Sequence, residues 1–244
     1  MNNAIYVALS QQTNLFRNMD VVANNVANVS TPGFKGETMV FEKFLFNDKD
    51  NFTRKIAFSH DIATFSDFKD GAATPTGRDL DLALDGTGFF KVQTPQGVRY
   101  TRRGSFHVDT NNQIVTAEGY TLLNPADRPI EIINHDERLT ISSDGTVRGG
   151  DDGQIRGEIG IAHFENPQKL THTDNGLYSS DVPPLLTKAP ARVLQGSLEQ
   201  SNVNSVTELT HLININRSVS DVSNLMASMH DMMRKAITAY THSV

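Results

Sequence analysis

The chain contains no cysteine in its 244 residues. That absence removes any disulfide framework, thiolate nucleophile or cysteine-based zinc site, and leaves the redox compartment open. There is no run of about 18 apolar residues, the length needed to cross a bilayer, so direct membrane insertion is not expected. The first 30 residues carry only Arg17 and Asp20 as charges. Without a basic start or a continuous apolar block, a cleaved secretory leader is not expected either. Positive charge is scarce, with 22 Lys and Arg against 28 Asp and Glu and a net charge of -6. A nucleic-acid partner would need clustered cations to displace the counterions of phosphates, and no such cluster is present.

Catalytic signatures are missing as well. The eight histidines show no His-x-x-x-His spacing with a catalytic Glu, and there is no Gly-x-Ser-x-Gly elbow. Gly86 and Gly88 lack the third glycine, lysine and following helix of a phosphate loop and read as a tight turn before a strand. Asp79 and Asp81 alternate with Leu80 and Leu82, which predicts a half-buried edge strand with its carboxylates on the wet face rather than a metal site. No catalytic residue, metal site or cofactor is expected, and the chain is not expected to be an enzyme.

What is present is periodic. With 38% hydrophobic and 20% charged residues the composition is that of a globular protein, long enough for one or two domains. Ile5, Ala8, Gln12, Leu15, Met19, Val22, Val26 and Val29 follow spacings of 3 and 4 in alternation, a heptad seam interrupted only by Gln12. They predict a helix over 3–29, stopped by Pro32 and Gly33. Leu212, Ile215, Val219, Val222, Met226, Met229, Met233, Ala236 and Tyr240 repeat in the same way and are all apolar, which predicts a helix over 205–241. Met226, Met229, Met232 and Met233 read as a soft apolar stripe. The other face of that helix carries His211, Asn214, Asn216, Ser218, Ser220, Ser223 and Ser228, polar and nearly uncharged.

Between the helices the period drops to 2. Strand runs are expected at Phe89–Val92, Val98–Phe106, Ile114–Leu122, Arg138–Ile141 and Ile155–Ala162, separated by turn signals such as Thr94-Pro95-Gln96-Gly97 and Asp144-Gly145. Residues 36–75 hold Phe41, Phe44, Phe46, Phe52, Phe58, Phe65 and Phe68 among polar residues without a clean period, and read as an extended connector anchored by those rings. Charge follows the same division: residues 36–200 carry 17 basic and 24 acidic side chains, the two ends 5 and 4. The fold class is therefore α+β, a discontinuous coiled-coil domain of N- and C-terminal helices with an inserted mainly-β domain. Its parts are expected at 1–35 (first helix), 36–75 (connector), 76–199 (β-rich domain) and 200–244 (second helix).

One narrow seam buries too little to hold a lone helix against its chain entropy, so the seams call for partners. Pairing of the two helices within one chain is the plainer alternative to packing between chains. Asn24, Asn25 and Asn28 are poor helix-interior choices; either they bond to a neighbouring subunit or they merely weaken the helix end. Gly33 and Phe34 read as a hinge and an anchor, or as an ordinary post-helix turn.

Four stretches resemble one family. Ala23–Lys35 (ANNVANVSTPGFK), Thr76–Phe90 (TGRDLDLALDGTGFF), Tyr100–Phe106 (YTRRGSF) and Gly196–Val203 (GSLEQSNV) are similar to successive blocks of the flagellar basal-body rod and hook axial proteins, in family order. The opening Asn3–Gln12 and the modest length are most like the proximal-rod members. At Ser218-Val219-Ser220 the chain departs from the aromatic-acidic pairing of many relatives.

The resemblance implies a structural subunit, exported without a cleaved signal by the flagellar export apparatus, that polymerises with itself and with other proximal and distal rod proteins into a hollow shaft. A distal-rod or hook-type subunit is the alternative within the family, and a coiled-coil adaptor with a β binding domain the alternative outside it. The assembly interface is expected at Ile5, Leu15, Met19, Val22, Asn24, Asn25, Val26, Asn28, Gly33, Phe34, Leu212, Ile215, Val219, Val222, Met226, Met229, Met233 and Tyr240.

Overall fold

The computed structural model describes residues 2–47, 55–133, 138–149, 153–185 and 190–241. Phe52, and the side chains of Phe41, Phe44, Phe46, Phe58, Ala236 and Tyr240, lie outside the described part. The architecture is α+β, with a helix at each end of a strand-rich middle. The chain divides into two compact units. One takes in the first helix, Glu37–Phe65 and the chain from Val203 onward; the other takes in Asn28–Gly36 and Ser66–Asn202.

In the first unit, α1 spans Asn2–Ala27, ending two residues before Val29. The Asn28 side chain explains the earlier stop: its Oδ1 accepts from Thr31 Oγ1 at 3.1 Å while its carbonyl accepts from Thr31 N–H at 3.0 Å. This local turn competes with another helical turn. Asn24 and Asn28 therefore do not share a helix face, as an uninterrupted helix would require. The final helix, α2, spans Ser205–Thr241 and begins at an N-cap absent from the apolar pattern. Asn204 Oδ1 accepts from the N–H groups of Val206 and Thr207, each at 3.1 Å, two of the orphan donors of a helix start.

The segment read as a connector carries two strands, β1 (Glu37–Asn47) and β2 (Lys55–Ser66), which pair with each other. Of its rings, Phe65 is exposed, and Phe68 belongs to the second unit, edge-on to Phe89 and Tyr178.

The second unit holds β3 (Ala73–Pro75), β4 (Leu82–Asp85), β5 (Phe89–Thr94), β6 (Gly97–Thr101), β7 (Phe106–Val108), β8 (Ile114–Thr116), β9 (Thr121–Leu122), β10 (Leu139–Ile141), β11 (Thr146–Gly149), β12 (Ile155–Glu158), β13 (Ile161–Ala162), β14 (Thr171–Thr173), β15 (Leu177–Ser179), β16 (Arg192–Gln195) and β17 (Ser197–Glu199). Its main sheet runs β14-β15-β6-β5-β9-β8-β7, with β13 also on β5; β10-β11-β12, β16-β4 and β17-β3 form smaller ladders.

The run expected over 114–122 folds back as the hairpin β8–β9, closed by the Gly119 N–H on the Thr116 carbonyl at 2.8 Å, and two other runs expected as single strands are split where the backbone must cross another segment. The run 98–106 leaves the sheet at Arg102–Ser105, where a Cβ on Gly104 would fall 1.6 Å from the Leu82 carbonyl oxygen. The run 155–162 breaks at Ile159–Gly160, where Gly160 passes over Leu123 and Asn124. The Asp-Leu alternation also misled: Leu82, Ala83 and Leu84 are all buried, so β4 is covered on both faces, and Asp81 is buried with them. Its carboxylate accepts from Thr76 Oγ1 at 2.7 Å and sits 3.8 Å from Arg78 Nε.

Strand β5 divides the core. Phe90 and Val92 point into one apolar cluster with Leu82, Leu84, Phe106, Ile114 and Leu122, and Phe90 meets Phe106 edge to face at 5.3 Å. Phe89, one residue away and on the opposite face, joins Tyr100, Phe164, Leu170 and Tyr178.

Candidate assembly interface

Within the first unit α1 and α2 run antiparallel. Gln12 Nε2 donates to Ser223 Oγ at 3.2 Å and Asn25 Nδ2 to Glu208 Oε2 at 3.3 Å, so rising numbers on one helix meet falling numbers on the other. Gln12, the flaw in the apolar seam, is thus a cross-helix donor. The contact closes the seam only in part. Ala8, Val22 and Ile215 are buried, while Ile5, Leu15, Met19, Val26, Leu212, Val219, Val222, Met226, Met229 and Met233 remain half-buried. Ile215 is the single buried residue among the described side chains of α2. Met232 departs from the methionine stripe and is 60% exposed. With 26 residues against 37, α1 is about 39 Å long and α2 about 55 Å at roughly 1.5 Å per residue, so α1 cannot cover its partner's length.

Exposed apolar side chains also lie outside the seam, in one patch on each helix. Tyr6, Leu9 and Phe16 on α1, and Val206, Leu209 and Ile213 on α2, are exposed, Val206 by 72%. Sequence reasoning missed these residues, although the steps 6, 9 and 206, 209, 213 follow the same 3 and 4 spacing as the seam.

The asparagines have partners inside the chain. Asn25 is buried; its Oδ1 accepts from Glu37 N–H at 2.9 Å and its Nδ2 donates to the Glu37 carbonyl at 2.8 Å, besides reaching Glu208. A side-chain amide that matches both backbone groups of one residue in this way fixes the start of β1. Neither sequence reading, a bond to a neighbouring subunit or a weakened helix end, named this partner within the chain. Asn24 is half-buried, and Asn28 forms the turn already described.

Gly33 is no hinge. Its φ is +70°, its N–H donates to the Glu199 carbonyl at 2.7 Å, and a Cβ there would lie 2.6 Å from the backbone of Arg102 and Arg103. Glycine is required by close approach as well as by the left-handed backbone. Phe34 is buried beside it.

Next to them lies a buried ionic cluster that the motif reading did not reveal. Lys35 Nζ donates to Glu199 Oε1 and to the Lys69 carbonyl, both at 2.6 Å. Gly71 N–H also donates to Glu199 Oε1, at 2.9 Å. Arg102 Nη1 reaches Glu199 Oε2 at 3.3 Å and Asp70 Oδ1 at 3.2 Å, its Nη2 donates to the Gly86 carbonyl at 2.9 Å, and its guanidinium stands 5.2 Å from the centre of the Phe89 ring. The side chains of Lys35, Arg102 and Glu199 are at most 1% exposed. Burial pushes the Lys35 ammonium below its ordinary value while Glu199 pulls it back up. All four sequence blocks contribute here: Lys35 from the first, Gly86 and Phe89 from the second, Arg102 from the third and Glu199 from the fourth. The pair Lys35 and Glu199 is separated by 164 positions, so no local spacing could have announced it.

On α2, His211, Asn214, Asn216, Ser218, Ser220 and Ser228 are exposed. Ser218, Ser220, Ser223 and Ser228 each donate to the carbonyl four residues back, at 2.8–3.0 Å. Their hydroxyl donors are therefore satisfied within the helix, and the face presents little charge.

Comparison with known proteins gives a consistent likeness. Residues 5–35 match the family described as flagella basal body rod protein. Residues 83–149 match the flagellar hook protein FlgE/F/G D1 domain, and residues 194–239 the C-terminal part of flagellar basal body rod FlgEFG proteins. Over 97% of each chain, the protein is 35% identical to the flagellar basal-body rod protein FlgF of Caulobacter vibrioides and 30% identical to that of Mesorhizobium japonicum. It is also 29% identical to the flagellar basal-body rod protein FlgG of Bacillus subtilis, over 97% of this chain and 98% of that protein.

Proposed function

The chain belongs to the flagellar basal-body rod protein family, structural subunits of the flagellum's basal body, and from that premise we propose that it polymerises through its two terminal helices as a proximal-rod subunit. The observation that supports this reading is the half-closed seam. Two helices of one chain leave Leu212, Val219, Val222, Met226, Met229 and Met233 partly open and a further apolar face, Tyr6, Leu9 and Phe16, uncovered. Apolar area that one chain cannot bury is buried by the next one.

In the assembled shaft the terminal helices pack as coiled coils around the axis. The uncharged serine and asparagine face of α2 lines a channel for later subunits. The partners are copies of this chain, other rod subunits and the export apparatus. Its place is the rod where it crosses the periplasm.

The absence of cysteine makes the test clean. Single cysteines introduced in place of Phe16 and Leu209 are oxidised in isolated basal bodies. Cross-links between chains are the expected outcome; single-cysteine chains that stay uncross-linked in intact basal bodies overturn the reading. The match to a FlgG protein along nearly the whole chain favours a distal-rod position as the second reading, and the identity of the cross-linked neighbours separates the two.

A further inference from the structure

The two segments that lead from the β-rich unit toward α1 and α2, residues 28–36 and 196–202, both belong to that unit. Little ordinary strand pairing holds them. Among the described residues β17 pairs only with β3, a three-residue strand exposed along its length, and an isolated two-stranded ladder is marginal in water. Side chains supply what the ladder lacks. Lys35 lies eight residues after the end of α1 and Glu199 six before the start of α2. Around their ion pair, Gly36 N–H donates to Asn202 Oδ1 at 2.8 Å, Asn202 Nδ2 donates to the Asp67 carbonyl at 2.7 Å, and Asp67 N–H donates to the Gly36 carbonyl at 2.7 Å.

We propose that Lys35, Arg102, Glu199 and Asp70 form a clamp that fastens the two leads to each other and to the β body, so that load entering by either lead is shared at this point before any sheet is strained. Each oxygen of Glu199 is held by a different cation, Oε1 by Lys35 and Oε2 by Arg102. The carboxylate thus ties the first lead to the β6–β7 crossing. Asp70 binds Arg102 and, through Oδ2, the Gly86 N–H at 3.2 Å. Two buried cations meet one buried anion, Glu199, and Asp70 at the rim, its side chain 41% exposed, supplies the second negative charge. A purely apolar plug would pack the same space, but its non-directional contacts would let the leads slide past one another; directed bonds fix their register. Gly33 and Gly71 permit the approach: a Cβ on Gly71 would sit 1.9 Å from the Gln200 carbonyl oxygen.

The test uses the full chain, free in solution, so its outcome is independent of whether the subunit polymerises. Amide exchange is followed in Lys35→Met, in Glu199→Gln, which keeps the side-chain shape, and in Lys169→Met as an exposed control. The expected result is exchange faster by on the order of 100-fold in residues 28–36 and 196–202, with protection of 89–101 unchanged and the control like wild type. The double variant loosens the leads no further than the worse single variant, as residues of one network do. Leads that stay as protected as in wild type, or a loss spread evenly over the β unit, overturn the clamp. Should Lys35→Met fail to fold, Glu199→Gln decides. Pulling a single molecule between cysteines placed at positions 28 and 202 reads the load directly: a lower first rupture force in Glu199→Gln supports the clamp, and an unchanged force refutes it.

Discussion

Gly33 shows how a residue chosen for freedom can be used for confinement. Its positive φ and its contact with the Arg102 and Arg103 backbone leave no room for a methyl group. Gly33→Ala is expected to destabilise the second unit by more than about 1 kcal/mol, since the left-handed backbone alone costs that much for an L residue; urea unfolding measures it. Asn25→Ala removes a side chain that answers both backbone groups of Glu37. A cost of about 1–3 kcal/mol is expected, read as earlier loss of helical signal.

Asp109 supplies a pH dependence of known sign. Its carboxylate accepts from the N–H groups of Gln113 at 2.8 Å and Asn111 at 2.9 Å, and the Gln113 bond foremost holds its pKa below the ordinary 3.8. The folded form thus prefers the charged group, so the stabilisation is fully present above 3.8 and is lost as pH falls through the lower, folded-state value. Amide exchange in the turn 109–113 should accelerate on acidification, and in Asp109→Asn that dependence should vanish. At this scale little of the site was legible: asparagine at 25 signals something specific, but only the fold reveals that its partner is Glu37, and nothing local pairs Lys35 with Glu199.

Among elements, the helices were the most legible, because a seam of eight or nine positions repeats enough to fix a period. α2 runs from Ser205 to Thr241 as the heptads require, and α1 falls short only where Asn28 and Thr31 bond locally. The strands were legible as apolar runs but not in their ends: the run 98–106 breaks at a distant crossing, Gly104 over Leu82, and the run 114–122 at a local turn closed by the Gly119 N–H on the Thr116 carbonyl at 2.8 Å. β1 and β2 escaped notice because their phenylalanines follow no period of 2. The uncovered stripe of α1 gives the prediction that belongs here. Leu9→Glu and Phe16→Glu should change the stability of the free chain by no more than about 0.5 kcal/mol, as exposed substitutions do. Both should nevertheless keep the chain out of isolated basal bodies, scored by its recovery with them.

For the whole molecule, the unequal cores of the two units set the order of unfolding. The second unit buries Phe90, Val92, Ile114, Leu122 and their neighbours completely or nearly so, whereas the first has few buried apolar side chains among its described residues. Loss of the far-UV helical signal in urea should therefore precede loss of the aromatic near-UV signal of Phe89, Tyr100 and Tyr178. A single coincident transition would show that the units fold as one. The alternation of helical and strand periods announced the α+β plan; the return of the chain to one point was hidden, since it depends on contacts between positions far apart in sequence.

That return has a bearing on how such chains can be altered. The amide of Gly33 lies 2.7 Å from the carbonyl oxygen of Glu199, so the chain enters and leaves the strand-rich body at one doorway. Whatever is built beyond that doorway can be enlarged, trimmed or exchanged as a cassette without stretching the helical stems that carry it. Grafting a foreign module between Phe34 and Leu198, ends meeting at the same spacing, should leave the stems able to pair.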